Sequence, residues 1–329
     1  MKLVTFQVHT PVGKFARVGA LHNETIVDLN MAYQRMLADQ GEAQPRRLAT
    51  GEVPSSMLEL LQGEVSAMNR AREAFHYISD NDHSVYGPDG ETIVYDREAV
   101  SLLAPIPHPP LLLDFIAFEA HIAATSKKRG QPIPPEWYKA PVYYKGNPLT
   151  IIGPEDSLLW PLQTQKLDFE LELACVIGRK GRDIPADKAW DYIAGYTIMN
   201  DFSARDIQFQ EMACRLGPAK GKDFATALGP CLVTPDEIPD LKQVTMVARI
   251  NGEVWSEGSF GTIYWSFAQM IEHVSRGETV YPGEVFGSGT VGGGCGLEMD
   301  RFLQPDDVVE LEIQPIGKLK TKIIKENRK

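Results

Sequence analysis

Leu167-Asp168-Phe169-Glu170-Leu171-Glu172-Leu173-Ala174 is the stretch whose reading decides the fold. Strict alternation reads as a β-strand, with Asp168, Glu170 and Glu172 on one face and Phe169, Leu171 and Leu173 on the other. Same-face neighbours stand ~6–7 Å apart. At an effective dielectric near 20, two carboxylates at that spacing repel by roughly 2–3 kcal/mol. Water on that face would screen the repulsion, and the acids would be an ordinary solvated edge. An enclosed face requires a compensating cation, and oxygen-only ligands select hard ions such as Mg²⁺, Ca²⁺ or Mn²⁺.

Working outward, the chain is mainly β. Residues 2–30 alternate apolar and polar positions and break at Pro11-Val12-Gly13 and His22-Asn23-Glu24, as short antiparallel strands do. Met57, Leu60, Leu61, Val65, Met68 and Ala71 recur at helical spacing. Pro105, Pro107, Pro109 and Pro110 crowd into six positions, which neither a helix nor a central strand tolerates. They mark a junction between a small N-terminal β-rich domain, residues 1–104, and a catalytic domain, residues 105–329. Beyond it, Leu167 to Gly178 reads as one strand and Val244 to Trp255 as a hairpin turning at Asn251-Gly252. Ile263 to Val274 reads as a core helix, and Val308–Ile313 and Lys320–Ile324 as closing strands. There are no repeated βαβ units, and Val291-Gly292-Gly293-Gly294 lacks the GxGxxG frame, which argues against a dinucleotide fold. The expected class is α+β, dominated by sheet.

Bulk composition narrows the function. The 329 residues carry a net charge of −11, with a pI near 5.2, so the surface repels phosphate backbones. The basic run from Lys318 to Lys329 is short and reads as a solvated tail. Cys175, Cys214, Cys231 and Cys295 form no CxxC pair, which favours reduced thiols over disulfides or zinc. The first thirty residues have no signal-peptide pattern, and no apolar run reaches the ~20 residues of a membrane span. A cytoplasmic protein is expected, without nucleic-acid or membrane partners.

Two more acids end apolar runs: Asp114 after Leu111-Leu112-Leu113, and Asp201 after Ile193 to Met199. A carboxylate at the end of a buried strand is costly unless paired or metal-bound. Asp201 and Asp206 are equally readable as helix caps.

Five motifs in order, from about Leu102 to the C-terminus, carry a resemblance. They are Glu170-Leu171-Glu172; Asn200-Asp201-Phe202-Ser203-Ala204-Arg205-Asp206-Ile207-Gln208; Lys222-Asp223-Phe224; Tyr281-Pro282-Gly283-Glu284; and Gly289-Thr290. Together they resemble the signature of the fumarylacetoacetate hydrolase family. The resemblance implies a mixed β-roll catalytic domain and a homodimer. It implies one divalent cation, Mg²⁺ first and Ca²⁺ or Mn²⁺ next, on Asp114, Glu170, Glu172 and Asp201. It also implies that His121, paired with Glu298, activates water, and that Arg205, Gln208 and Lys222 surround a developing oxyanion. Tyr144, Thr290 and Arg129 match substrate contacts.

Each role has a plainer competitor. His121 also reads as a surface helix residue with Glu119 nearer in sequence, Lys222 as a loop lysine, Thr290 as part of a Gly-rich turn and Tyr144 as packing. The animal-type fumarylacetoacetases carry a tyrosine where this chain has Ile116, which loosens the claim on their substrate. The resulting first reading is hydrolysis of a carbon–carbon bond in a 1,3-dicarbonyl acid, fumarylacetoacetate or an acylpyruvate, in aromatic-compound catabolism. The second keeps the metal site but makes the chain an oxo-acid decarboxylase or tautomerase, or a hydroxymuconate-type isomerase. The third is a metal-bound ligand-binding protein without turnover.

Overall fold

The computed structural model describes residues 1–80, 86–161 and 163–325. Residues 326–329, the end of the basic run, lie outside the described residues, whereas Lys318 and Lys320 sit on the strand Gly317–Ile324 and pair with Glu310.

A twelve-stranded sheet forms the spine. At its centre the strand Leu171–Ile177 lies antiparallel between Ile193–Asp201 and Val285–Gly287. The next strand out, Leu112–Phe115, runs parallel to Val285–Gly287 and antiparallel to Tyr143–Lys145. On the other side, Ile193–Asp201 pairs with Thr226–Val233, which pairs with the first strand of the chain, Lys2–Thr10. The sheet is therefore continuous across the proline-rich segment, and the division at 104/105 stands as a proposal about organisation.

The central strand is buried on both faces. Leu171, Leu173, Cys175 and Ile177 pack into a core shared with a second, five-stranded sheet through Met246, Leu311 and Ile323. Ala174 and Val176 face a second core closed by Leu29, Leu60 and Ala71 from N-terminal helices. The strand pattern expected through residue 30 ends at Asp28, where the helix Leu29–Asp39 begins and buries Leu29, Ala32, Tyr33 and Met36, whereas the helix Pro45–Glu52 buries only Ala49. The helical stretch read from Met57 to Ala71 is two helices, Met57–Gln62 and Glu64–Ser79, joined at Gly63.

Two further sequence readings need correction. Leu167 to Gly178 is not one strand: Leu167–Asp168 pairs with Ser203–Ala204 in a separate small sheet, and the main strand begins at Leu171. The helix expected from Ile263 begins at Phe267, where Ser266 and Gln269 form a reciprocal capping box. The hairpin at Asn251-Gly252 stands as read, with φ of 52° and 84° at its two central residues.

Where the chain enters the strand Val285–Gly287, Glu284 is buried and its Oε2 has no hydrogen-bond partner. Burial pushes its pKa up from 4.5 to about 7. The folded chain thus binds an extra proton between about pH 4.5 and 7, so this group's contribution falls as pH rises through that window. The full penalty, present above pH 7, is of order 3 kcal/mol. Glu284→Gln is therefore expected to gain stability over the parent as pH rises from acid to slightly alkaline. Melting temperatures across that range check it; a gap that stays constant would remove Glu284 as the cause.

Candidate active site

Strand ends gather the acids. Asp114 lies opposite Gly287 on one side and Tyr144 on the other. Leu171 pairs with Asn200, which sets Glu170 and Asp201 beside each other where their strands stop. Glu170 is further fixed by its backbone N–H, which donates to Asn200 Oδ1 at 3.0 Å. Ligand oxygens of Asp114, Glu170 and Asp201 lie within 4.8 Å of one another. Glu172 is buried next to them and accepts the Gly289 N–H at 3.0 Å.

Two cations reach into this cluster. Lys222 Nζ donates to Glu170 Oε2 at 2.6 Å and also to Asp201 Oδ2. Arg205 spreads its guanidinium over three partners: Nη2 to Glu170 Oε1 at 2.7 Å, Nε to Asp168 Oδ2 at 2.8 Å and Nη1 to Gln208 Oε1 at 3.0 Å. Tyr144 is not packing alone, because its hydroxyl donates to Asp201 Oδ2 at 2.6 Å.

Charge does not balance among these groups. Five buried carboxylates, on Asp114, Asp168, Glu170, Glu172 and Asp201, face two buried cations. Burial and then the neighbouring acids raise Asp114 and Glu172 well above the carboxylate range. Burial also acts to raise Glu170, but Lys222 and Arg205 outweigh it and hold this carboxyl low. Asp114 Oδ1 and Glu172 Oε1 are buried without a hydrogen-bond partner. Buried carboxyl oxygens lacking donors, in an oxygen-only set, fit a hard divalent cation, whose charge would let Asp114 and Glu172 ionise.

Across the cleft, the helix Glu119–Lys128 carries His121 inward, nearly buried. Its Nδ1 lies 2.7 Å from Glu298 Oε1, and Glu298 Oε2 accepts the Gly293 N–H at 3.0 Å. The nearer acid, Glu119, points elsewhere and accepts the Tyr138 hydroxyl at 2.5 Å. With Nδ1–H assigned as the donor to Glu298, Nε2 is left with its lone pair toward the cleft.

The cleft holds about 230 Å³. Asp114, Glu170 and Glu172 line it together with His121, Arg205 and Lys222. Tyr144, Gln208, Thr290 and Arg129 line it too, so all the sequence-assigned residues meet at one site, with Glu298 and Asp201 reaching it through His121 and Tyr144. Thr290 Oγ1 is buried without a partner. Asp206 is not part of the site: it accepts from Thr164 Oγ1, the Gln165 N–H and the Ile207 N–H.

Residues 112–324 match the family model described as "Fumarylacetoacetate (FAA) hydrolase C-terminal", well over half of the chain. The chain belongs to the fumarylacetoacetate hydrolase family. It is 30% identical over 314 residues to the oxaloacetate tautomerase YisK of Bacillus subtilis (strain 168), covering 94% of this chain and 99% of that protein. It is also 30% identical over 273 residues to the human mitochondrial oxaloacetate tautomerase FAHD2A, covering 83% and 81% of the two chains. Among solved structures, the fumarylacetoacetate hydrolase EaFAH of Exiguobacterium antarcticum superposes with a TM-score of 0.69 at 26% identity, covering 98% of this chain and 100% of that one.

Within this member of the fumarylacetoacetate hydrolase family, several site residues escaped sequence reading. Asp168 looked like one more acid on the ligand face and instead holds Arg205. Cys295 is buried with Sγ 3.7 Å from Glu298 Oε1, a contact no local pattern announces. Phe209 and Met212, one and two turns along the helix Arg205–Ala213, form an apolar lip; their spacing from Arg205 and Gln208 was the only available signal. Ile116 does line the cleft, where the animal-type resemblance calls for tyrosine. All four thiols are free, and among the described residues no helix is long and apolar enough to cross a membrane.

Proposed function

We propose that the chain is a divalent-metal-dependent keto–enol tautomerase of a small 2-oxo diacid, with oxaloacetate as the leading substrate. The carrying observation is the cleft's two opposed walls: a base with its own carboxylate on one, and donor-starved buried carboxylates with two cations on the other. The tautomerase names of relatives aligned over most of the chain favour this reading over carbon–carbon hydrolysis.

Asp114, Glu170, Glu172 and Asp201 would hold the cation, which supplies Lewis acidity toward a 2-oxo acid. His121 Nε2 takes a proton from C3; that C–H pair becomes the C2–C3 double bond, and the negative charge moves to the C2 oxygen. His121 then returns its proton to that oxygen, completing the enol with all atoms accounted for. Glu298 keeps Nδ1 protonated and steadies the imidazolium between the two transfers. Despite burial, Asp201 and Glu170 hold Lys222 protonated above its usual range, so it and Arg205 offer permanent positive charge to the oxyanion. Thr290 Oγ1 and Arg129 serve the substrate carboxylates. A homodimer remains our expectation for assembly.

A second reading, cleavage of an acylpyruvate, is favoured by the same His121–Glu298 pair, which suits water activation, and by the likeness to EaFAH. Ultraviolet absorbance of the oxaloacetate enol, run beside chromatography of cleavage products from acylpyruvates, separates the two. Faster enol–keto equilibration without acid release is expected. Acid release with no effect on the enol signal would replace the first reading by the second.

A further inference from the structure

We propose that Asp168 is a positioning residue that ties Arg205 to the turn carrying Glu298, so that the two walls of the cleft are set by one buried carboxylate. Its assigned consequence for turnover rests on the proposed tautomerase reading; the mechanical link does not.

Asp168 is fully buried, and four donors saturate it. Arg205 Nε reaches Oδ2 at 2.8 Å. The Phe169 N–H reaches Oδ1 at 2.9 Å. From the far side, the Gly296 N–H donates to Oδ1 at 2.7 Å and the Leu297 N–H to Oδ2 at 2.9 Å. Those last two amides open the short helix Gly296–Met299, whose third residue is Glu298. Asp168 thus caps the turn that aims Glu298 at His121, while its other side fixes the guanidinium on Glu170.

Space at this junction is fully used. A Cβ on Gly296 would fall 1.9 Å from Arg301 O and 2.6 Å from Asp168 Oδ1, so only glycine lets the turn approach the carboxylate this closely. The strand break after Asp168 gains a purpose from this arrangement. In an unbroken strand its side chain would continue the row of Glu170 and Glu172, whereas pairing of Leu167–Asp168 with Ser203–Ala204 places it beneath Arg205 instead.

Removing the charge should loosen both arms. Residues that orient catalytic groups from behind typically matter by about 10–100-fold. The experiment is amide hydrogen exchange of the full chain, read at Gly296 and Leu297 in Asp168→Asn and Arg205→Gln, beside kcat and KM with oxaloacetate. Faster exchange at both amides is expected in both variants, with kcat of Asp168→Asn down by about 10–100-fold and KM little changed. Unchanged exchange in Arg205→Gln overturns the link, since a purely catalytic arginine would not protect those amides. A raised KM at unchanged kcat overturns the positioning role. If Asp168→Asn does not fold, Arg205→Gln decides alone, because it leaves three backbone donors on Asp168. Exchange needs no turnover, so a parent chain inactive on oxaloacetate removes the tautomerase reading while the exchange data still judge Asp168.

Discussion

His121→Ala is expected to lower turnover ~10²–10⁴-fold, the usual contribution of a positioned acid–base group, while leaving cation affinity intact. Separation of the two effects follows from the geometry: imidazole pairs with Glu298 at 2.7 Å and contributes no atom to the oxygen cluster of Asp114, Glu170 and Asp201. Calorimetric cation binding and steady-state kinetics on one preparation check both halves. Glu298→Gln should show a smaller loss, because an amide still fills the space and can hold the ring without stabilising its charged form. The double variant should be little worse than His121→Ala, as groups acting as one unit are not additive. Full turnover in His121→Ala would refute the assigned base, and Glu119, bonded instead to Tyr138, offers no ready substitute.

The acids of this site were readable from local pattern because they stand at strand ends, whereas the roles of His121, Glu298, Arg205 and Lys222 came only from the family resemblance. Acids following apolar runs at Asp114 and Asp201 are legible because solvent cannot satisfy a carboxylate there. The double acid at Glu170 and Glu172 left exposure open, and only the second core, with Ala174 and Val176 facing N-terminal helices, closes that face. Long-range pairing was the part hidden from local pattern. Glu298 lies 177 positions from His121, while Glu119 lies two away; helix geometry turns Glu119 toward Tyr138. The break after Asp168 was invisible for a related reason, since a strand that changes partner keeps its alternation in sequence. Helix Pro45–Glu52 escaped because it buries Ala49 alone. Leu29–Asp39 buries Leu29, Ala32, Tyr33 and Met36, a helical spacing that was a usable signal, beside Asn30, whose side-chain amide donates to Ala49 O and Val53 O.

The cation should matter more than any single side chain. Exhaustive chelation is expected to abolish turnover, with Mg²⁺ or Mn²⁺ restoring it, and Glu172→Gln should weaken cation binding because a neutral amide removes one of the anions that hold it. The argument rests on charge: five buried carboxylates meet two buried cations, and an uncompensated buried charge costs several kcal/mol. Asp114 and Glu172 therefore resist ionisation, burial first and their acidic neighbours second. Asp114 and Glu172, whose Oδ1 and Oε1 lack hydrogen-bond partners, would help hold a divalent ion, whose charge would offset that repulsion. Binding to the folded chain alone stabilises it by about 2.7 kcal/mol at a hundredfold excess over Kd. Thermal melts at fixed ionic strength should thus rise with Mg²⁺ in the parent chain and rise less in Glu172→Gln. Undiminished activity in protein shown by metal analysis to hold no divalent ion would end this mechanism.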